Sequence, residues 1–85
     1  MSREPEVVVI TGASAGVGRA AARKFARHGA RIGLLARGVD GLKAAQREVQ
    51  KLGSEGLIIP TDVANAEQVE AAAEEVEAEL GPIDI

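Results

Sequence analysis

The amino-acid sequence predicts an α/β fold, a doubly wound parallel sheet of which the chain carries the first half. Three observations predict it. Short apolar runs, the first of them wholly β-branched, alternate with amphipathic helical patterns along the chain. Each helical pattern stops at a glycine: Gly29, Gly53 and Gly81. The first apolar run leads through the glycine-rich stretch Thr11-Gly12-Ala13-Ser14-Ala15-Gly16-Val17-Gly18 into the first helical pattern. A strand, a tight turn and a helix start in succession form a site suited to an anion, because helix-end N–H groups point outward and the macrodipole is positive there.

Residues 1–6 read as a polar lead-in, with Pro5 tolerated just before a strand. Val7 to Ile10 is apolar on both faces and suits a central parallel strand covered on both sides. A helix follows from about Gly16. Val17, Ala21, Phe25 and Ala26 are expected to share its buried face, with Arg19, Arg23, Lys24 and Arg27 largely solvated on the others. The second strand is Arg31 to Ala36. The second helix runs from about Asp40 to Leu52, with Leu42, Ala45, Val49 and Leu52 as its buried stripe. The third strand is Leu57 to Pro60.

Asn65 opens the third helix with Gln68 three residues later, a capping-box pattern. Val69, Ala72, Ala73, Val76 and Leu80 form its apolar face. Glu67, Glu70, Glu74, Glu75, Glu77 and Glu79 face water. Ile83-Asp84-Ile85 begins a fourth strand. The element order is thus β-α-β-α-β-α-β, the last strand only begun, and such alternation requires right-handed crossovers. The expected strand order is 3-2-1 with the begun strand beside the first. The first two helices belong on one face and the third on the other. So short a last strand leaves an unprotected edge, and the chain is read as the front part of a larger protein: a truncated product, an expressed subdomain or an incomplete sequence.

Composition excludes several function classes. The chain has 85 residues, 46% of them hydrophobic, and a net charge of -3. That balance argues against general nucleic-acid binding, and a single aromatic, Phe25, cannot make a base-stacking surface. No cysteine is present, which removes disulfides and thiolate metal sites, and one histidine, His28, cannot make a multi-histidine site. No metal site is expected. His28 lies near a helix C-terminus, where a cation is favoured by the dipole. No apolar run approaches the ~20 residues that span a bilayer, and the polar start is not a signal peptide. A cytoplasmic protein is the expectation.

The glycine stretch reads T-G-x-x-x-G-x-G, a spacing unlike the common G-x-G-x-x-G, and it has no G-K-[ST] of a P-loop. Glycines used only for packing are the plainer reading. The stretch from Thr11 to Ala20, however, resembles the cofactor-binding motif of the short-chain dehydrogenase/reductase family. Leu34-Leu35-Ala36-Arg37 resembles the family's second-strand end, Thr61-Asp62-Val63 the D-V after its third strand, and Ile83-Asp84-Ile85 the start of its D-x-L-V-N-N-A-G segment. The resemblance covers residues 5–85. It implies the N-terminal part of an NAD(P)-binding, Rossmann-like domain, spanning residues 1–85 here, with the catalytic half absent.

The resemblance assigns a cofactor site to Gly12, Ser14, Ala15, Gly16, Val17, Gly18, Ala36, Arg37, Asp62 and Val63. The second-strand end bears on which cofactor. An acidic residue there holds the ribose 2′-hydroxyl of NAD, and an arginine accommodates the 2′-phosphate of NADP. Here Ala36 stands eighteen residues after Gly18, and Arg37 follows. A guanidinium pairs with phosphate in a bidentate manner, so NADP is expected over NAD; Arg37 as a solvated loop charge is the alternative. Many NADP members of the family carry a basic residue just before the middle glycine, where this chain has Ala15, and Ser14 offers a hydroxyl near the ribose phosphate instead. Arg19 is expected to add positive potential near the phosphates. Asp62 is assigned to the adenine amino group with Val63 against the ring. An Asx turn or a contribution to the following helix cap is its other reading. Asp84 is expected to brace the adenine side without touching cofactor.

The family's catalytic Asn, Ser and Tyr-x-x-x-Lys lie beyond the last motif, and the chain contains no tyrosine. No catalytic residue is therefore assigned. The expected function is hydride transfer between nicotinamide and a small carbonyl or alcohol in the full-length protein, this part supplying nucleotide binding. The alternatives are a non-catalytic dinucleotide sensor and a structural fragment. A homo-oligomer of the full-length protein stays open, since the family's usual interfaces use later helices.

Overall fold

The computed structural model describes residues 5–14 and 16–85. The chain runs β1 (Val7–Thr11), α1 (Gly16–Arg27), β2 (Arg31–Ala36), α2 (Val39–Lys51), β3 (Gly56–Pro60) and α3 (Ala66–Leu80). The sheet is parallel with β2 in the centre, so its order is the expected 3-2-1. Side chains alternate across it with period two. Val8, Ile10, Ile32, Leu34 and Ala36 pack under α1 and α2 with Ala22, Ala26, Leu42, Ala45 and Val49. Val7, Leu35 and Ile59 pack under α3 with Ala72, Val76 and Leu80. Both faces of the sheet are covered, as its continuous apolar strands require.

Residues 83–85 are not a regular strand, but they lie along β1. The Asp84 N–H donates to the Val7 carbonyl at 2.8 Å, and the Val9 N–H donates to the Ile85 carbonyl at 2.9 Å. The Asp84 carboxylate also accepts the Val7 N–H at 2.8 Å. Asp84 therefore ties the chain's last described residues to the start of β1, at the end of the sheet away from the glycine turn.

Several expectations need correction. Val17 is not on the buried face of α1; it is 88% exposed. The stripe that meets the sheet is made of alanines, Ala22 and Ala26, with Ala21 and Phe25 partly covered. Val17 sits in the first turn beside the line of Gly18, Ala22 and Ala26 that meets the turn and the sheet. Leu52 is 38% exposed, because it follows α2 and the chain turns away at Gly53, whose φ is 88°. α2 itself starts one residue earlier than expected and stops one earlier. β1 extends through Thr11, and β3 begins at Gly56.

The α3 start matches half of the capping box. The Asn65 side chain accepts the Gln68 N–H at 3.1 Å. The Gln68 side chain does not return to the Asn65 N–H; it accepts the Asp62 N–H at 2.8 Å, while the Asn65 N–H is taken by the Asp62 carbonyl at 3.0 Å. The cap thereby grips the residues that leave β3. All six glutamates named for α3 are exposed.

Candidate functional site

Parallel register aligns the three strand ends. Thr11 pairs with Leu35, and Ala36 pairs with Pro60. Gly12, Arg37 and Thr61 consequently leave the sheet along one rim, the carboxyl ends of the strands, where ligands bind in open α/β sheets. Two backbone bonds stitch the exits together. The Ala13 N–H donates to the Leu35 carbonyl at 3.2 Å, and the Thr61 N–H donates to the Ala36 carbonyl at 2.8 Å.

The glycines of the turn do different work. Gly12 and Gly16 have φ of 65° and 59°, the left-handed region that favours glycine. A Cβ at either would meet nothing within 4 Å, so both border open space. That is a cradle a bulky anion can enter, with the α1 N-terminus behind it and no acidic residue in the helix's first turn. Gly18 is different. A Cβ there would collide with the Gly12 carbonyl oxygen, so Gly18 lets α1 close against the turn. The packing reading thus applies to Gly18, and the open-cradle reading to Gly12 and Gly16. Ala15 lies outside the described residues.

Around this cradle the remaining candidates fall on the same rim. Ser14 is half-buried, and its Cβ would be 2.6 Å from a Cβ built on Gly41, so the turn rests on the first turn of α2. Arg37 is exposed at the end of β2, and Ala36 is buried. Val17 and Val63 are exposed apolar side chains, at 88% and 52%. Asp62 is half-buried, and its Oδ1 accepts the Ala64 N–H at 3.0 Å. That is the Asx turn of its alternative reading. A carboxylate has a second oxygen, so the turn does not use up its capacity to accept from an amino group.

Arg19 departs from expectation. Its Nε donates to Glu48 Oε1 at 2.7 Å, and Arg23 reaches the same oxygen at 3.5 Å. The hydrogen bond from Arg19 holds the Glu48 carboxyl below its usual range, helped by the positive charges of Arg19 and Arg23. The same bond raises the Arg19 guanidinium further. These arginines bridge α1 to α2 rather than standing free in solvent, and Arg19's charge is offset by its partner. Nothing in the local pattern signals a pair 29 residues apart. The Gly41 contact with Ser14 has no local signal either, since a glycine inside a helical pattern marks only a cost to the helix.

A cavity of about 370 Å³ lies at the opposite ends of the strands, against Val7, Arg31, Leu80 and Asp84, and does not include the glycine turn. The turn is an open rim rather than an enclosed pocket. Among the described residues no cluster of His, Asp and Glu could hold a metal ion, and no helix is long and apolar enough to cross a membrane.

The model of the short chain dehydrogenase family matches residues 6–85. The chain belongs to the short-chain dehydrogenase/reductase family. It is 40% identical over 80 residues to a glycine betaine reductase of Emericella nidulans, covering 94% of this chain and 6% of that protein. It is 37% identical over 79 residues to a 3-oxoacyl-[acyl-carrier-protein] reductase of Bos taurus, covering 93% of this chain and 32% of the relative. Among solved structures, an alcohol dehydrogenase from the archaeon Thermococcus sibiricus, complexed with 5-hydroxy-NADP, superposes with a TM-score of 0.89 at 43% identity, over 95% of this chain and 35% of that one. L-sorbose reductase from Gluconobacter frateurii, complexed with NADPH and L-sorbose, gives 0.88 at 44% identity, over 99% of this chain and 32% of that one. The chain spans about a third or less of the length of these relatives. The fold is the N-terminal, Rossmann-like part of this family's fold.

Proposed function

We propose that the chain is the nucleotide-binding part of an NADP-dependent short-chain oxidoreductase. The observation that carries the reading is the rim itself: the open cradle at Gly12 and Gly16, with exposed Arg37 on the same edge and no carboxylate at Ala36. The backbone N–H groups of the turn and of the α1 start would receive the pyrophosphate. Arg37 would pair with the 2′-phosphate, and the hydroxyl of Ser14 would add a hydrogen bond there. Gly18 would act indirectly, by letting α1 close on the turn. The second oxygen of Asp62 would accept from the adenine amino group, with Val63 against the ring. Val17, apolar and exposed at the helix start, would lie along the cofactor rather than in the core.

Complexes of two similar proteins with NADP-type cofactors support the class of ligand. The bound nicotinamide would supply the hydride exchanged with a carbonyl or alcohol. This chain's own residues bind and orient the nucleotide end.

The test is titration of the purified protein with NADPH and NADH, before and after Arg37→Ala. Hydrogen bonds to a charged group are worth about 1.5–3 kcal/mol. Arg37→Ala should therefore weaken NADPH by roughly tenfold or more and leave NADH unchanged. Equal loss of both ligands, or NADH bound as tightly as NADPH by the unaltered protein, would remove the NADP assignment.

A further inference from the structure

Gly41 lies where the first turn of α2 meets the glycine turn. A Cβ there would stand 2.6 Å from Ser14 Cβ, 3.0 Å from the Ser14 carbonyl oxygen and 3.4 Å from Ser14 Cα. These atoms belong to the cofactor turn, not to the core. The first turn of α2 therefore seats directly on the glycine turn, and it does so because residue 41 lacks a side chain.

The Gly41 side of this contact is held at both ends. Leu42, the next residue, is fully buried and pins α2 to the sheet, and its N–H donates to the Gly38 carbonyl at 3.1 Å. Ala36, at the other end of the short link to α2, is buried and bonded through its carbonyl to Thr61. Between them lie only Arg37, the cap residue Gly38 and the first residues of the helix. A side chain at 41 must displace either Ser14 or the Arg37–Gly41 segment. The pyrophosphate end of the turn is anchored separately, by Gly18 against Gly12 and by the Ala13 bond to β2.

We infer that Gly41 is a positioning residue for recognition of the 2′-phosphate. By lacking a side chain it lets α2 close on the turn, and so holds the Ser14 hydroxyl and the Arg37 guanidinium at one spacing. The inference rests on the NADP reading, since it names what sets that subsite's geometry. Gly41 touches no cofactor itself.

The experiment measures 2′-phospho-AMP and AMP affinity in the unaltered protein, in Gly41→Ala, in Ser14→Gly and in the double variant. Overpacking of this size shifts a well-fitted site enough that Gly41→Ala should lower the preference for 2′-phospho-AMP by about tenfold, with AMP little changed. Ser14→Gly removes the atom nearest the new Cβ. In that background Gly41→Ala should change the preference much less, a rescue that a purely structural role would not produce. An unchanged ligand ratio in Gly41→Ala overturns the inference, as does an equal fall in the Ser14→Gly background. A folded double variant beside an unfolded Gly41→Ala, with the preference of Ser14→Gly retained, supports the contact; loss of the preference there overturns it. If the unaltered protein does not prefer 2′-phospho-AMP, the NADP reading itself has failed, and that result is visible before any substitution is made.

Discussion

The packing of α3 on the sheet makes Gly33→Ala a sharp test of the fold. Gly33 lies in the middle of β2, and a Cβ there would stand 2.7 Å from Val76 Cγ2, 3.4 Å from Val76 Cγ1 and 3.6 Å from Val9 Cγ2. Ordinary carbon–carbon contact is about 3.5–4.0 Å, so the overlap with Val76 approaches an ångström. Val76 is fully buried, and its β-branched side chain has essentially one rotamer in a helix. The strain should therefore cost about 1–3 kcal/mol. Replacing glycine within a strand returns roughly 0.5–1 kcal/mol of backbone entropy. The net loss spans about 0–2.5 kcal/mol and centres near 1 kcal/mol, which for a fold of this size lowers Tm by roughly 4–8 °C.

Val76→Ala alone removes both γ carbons from a filled site and should cost about 2 kcal/mol. The double variant places the new methyl where those carbons were. It should be no less stable than Val76→Ala, so the two changes couple by about 1 kcal/mol. Urea unfolding followed by far-UV circular dichroism is the assay, since the chain has neither tryptophan nor tyrosine. If the single losses add to within about 0.5 kcal/mol, α3 does not sit on Gly33 as described.

Two further outcomes follow from the same geometry. Gly18→Ala should destabilise the fold by about 1–3 kcal/mol, because the Gly12 backbone cannot swing aside as a side-chain tip could; a loss of nucleotide binding should accompany it, checked by thermal melts with and without NADPH. The Glu48 carboxyl is lowered when folded, so its contribution is in place above the ordinary value of 4.5 and disappears as pH falls through the lowered value. The Tm difference between the protein and Glu48→Gln should accordingly shrink on acidification and also with added salt; a difference that grew toward acid would contradict the bridge.

The fold was legible wherever local chemistry and pattern agree. β2 shows as a run of apolar residues between Gly29 and Arg37, and its bounds are those expected. The Asn65 cap has a side chain able to accept one of the orphan helix N–H groups, and it does so. Val17 misled because periodicity counts an apolar residue without regard to which line of small residues the helix turns toward the sheet. The alanines that do the packing carry a weaker signal. The Arg19–Glu48 bridge joins two helices, and no local rule pairs residues so far apart. At the site, the glycine turn was readable from its residues, whereas the seat of Ser14 on Gly41 depends on how two helices approach the same strand ends.

The proposed nucleotide site is the rim formed by the glycine turn, the end of β2 and the end of β3. Mapping backbone amide shifts by NMR while 2′-phospho-AMP is added tests it most directly. Binding along this rim should shift Gly12, Ser14, Gly16, Arg37, Asp62 and Val63 and leave the residues around Arg31 and Asp84 unmoved. Shifts gathered at Arg31, Gly81 and Asp84, around the cavity at the far end of the sheet, would contradict it.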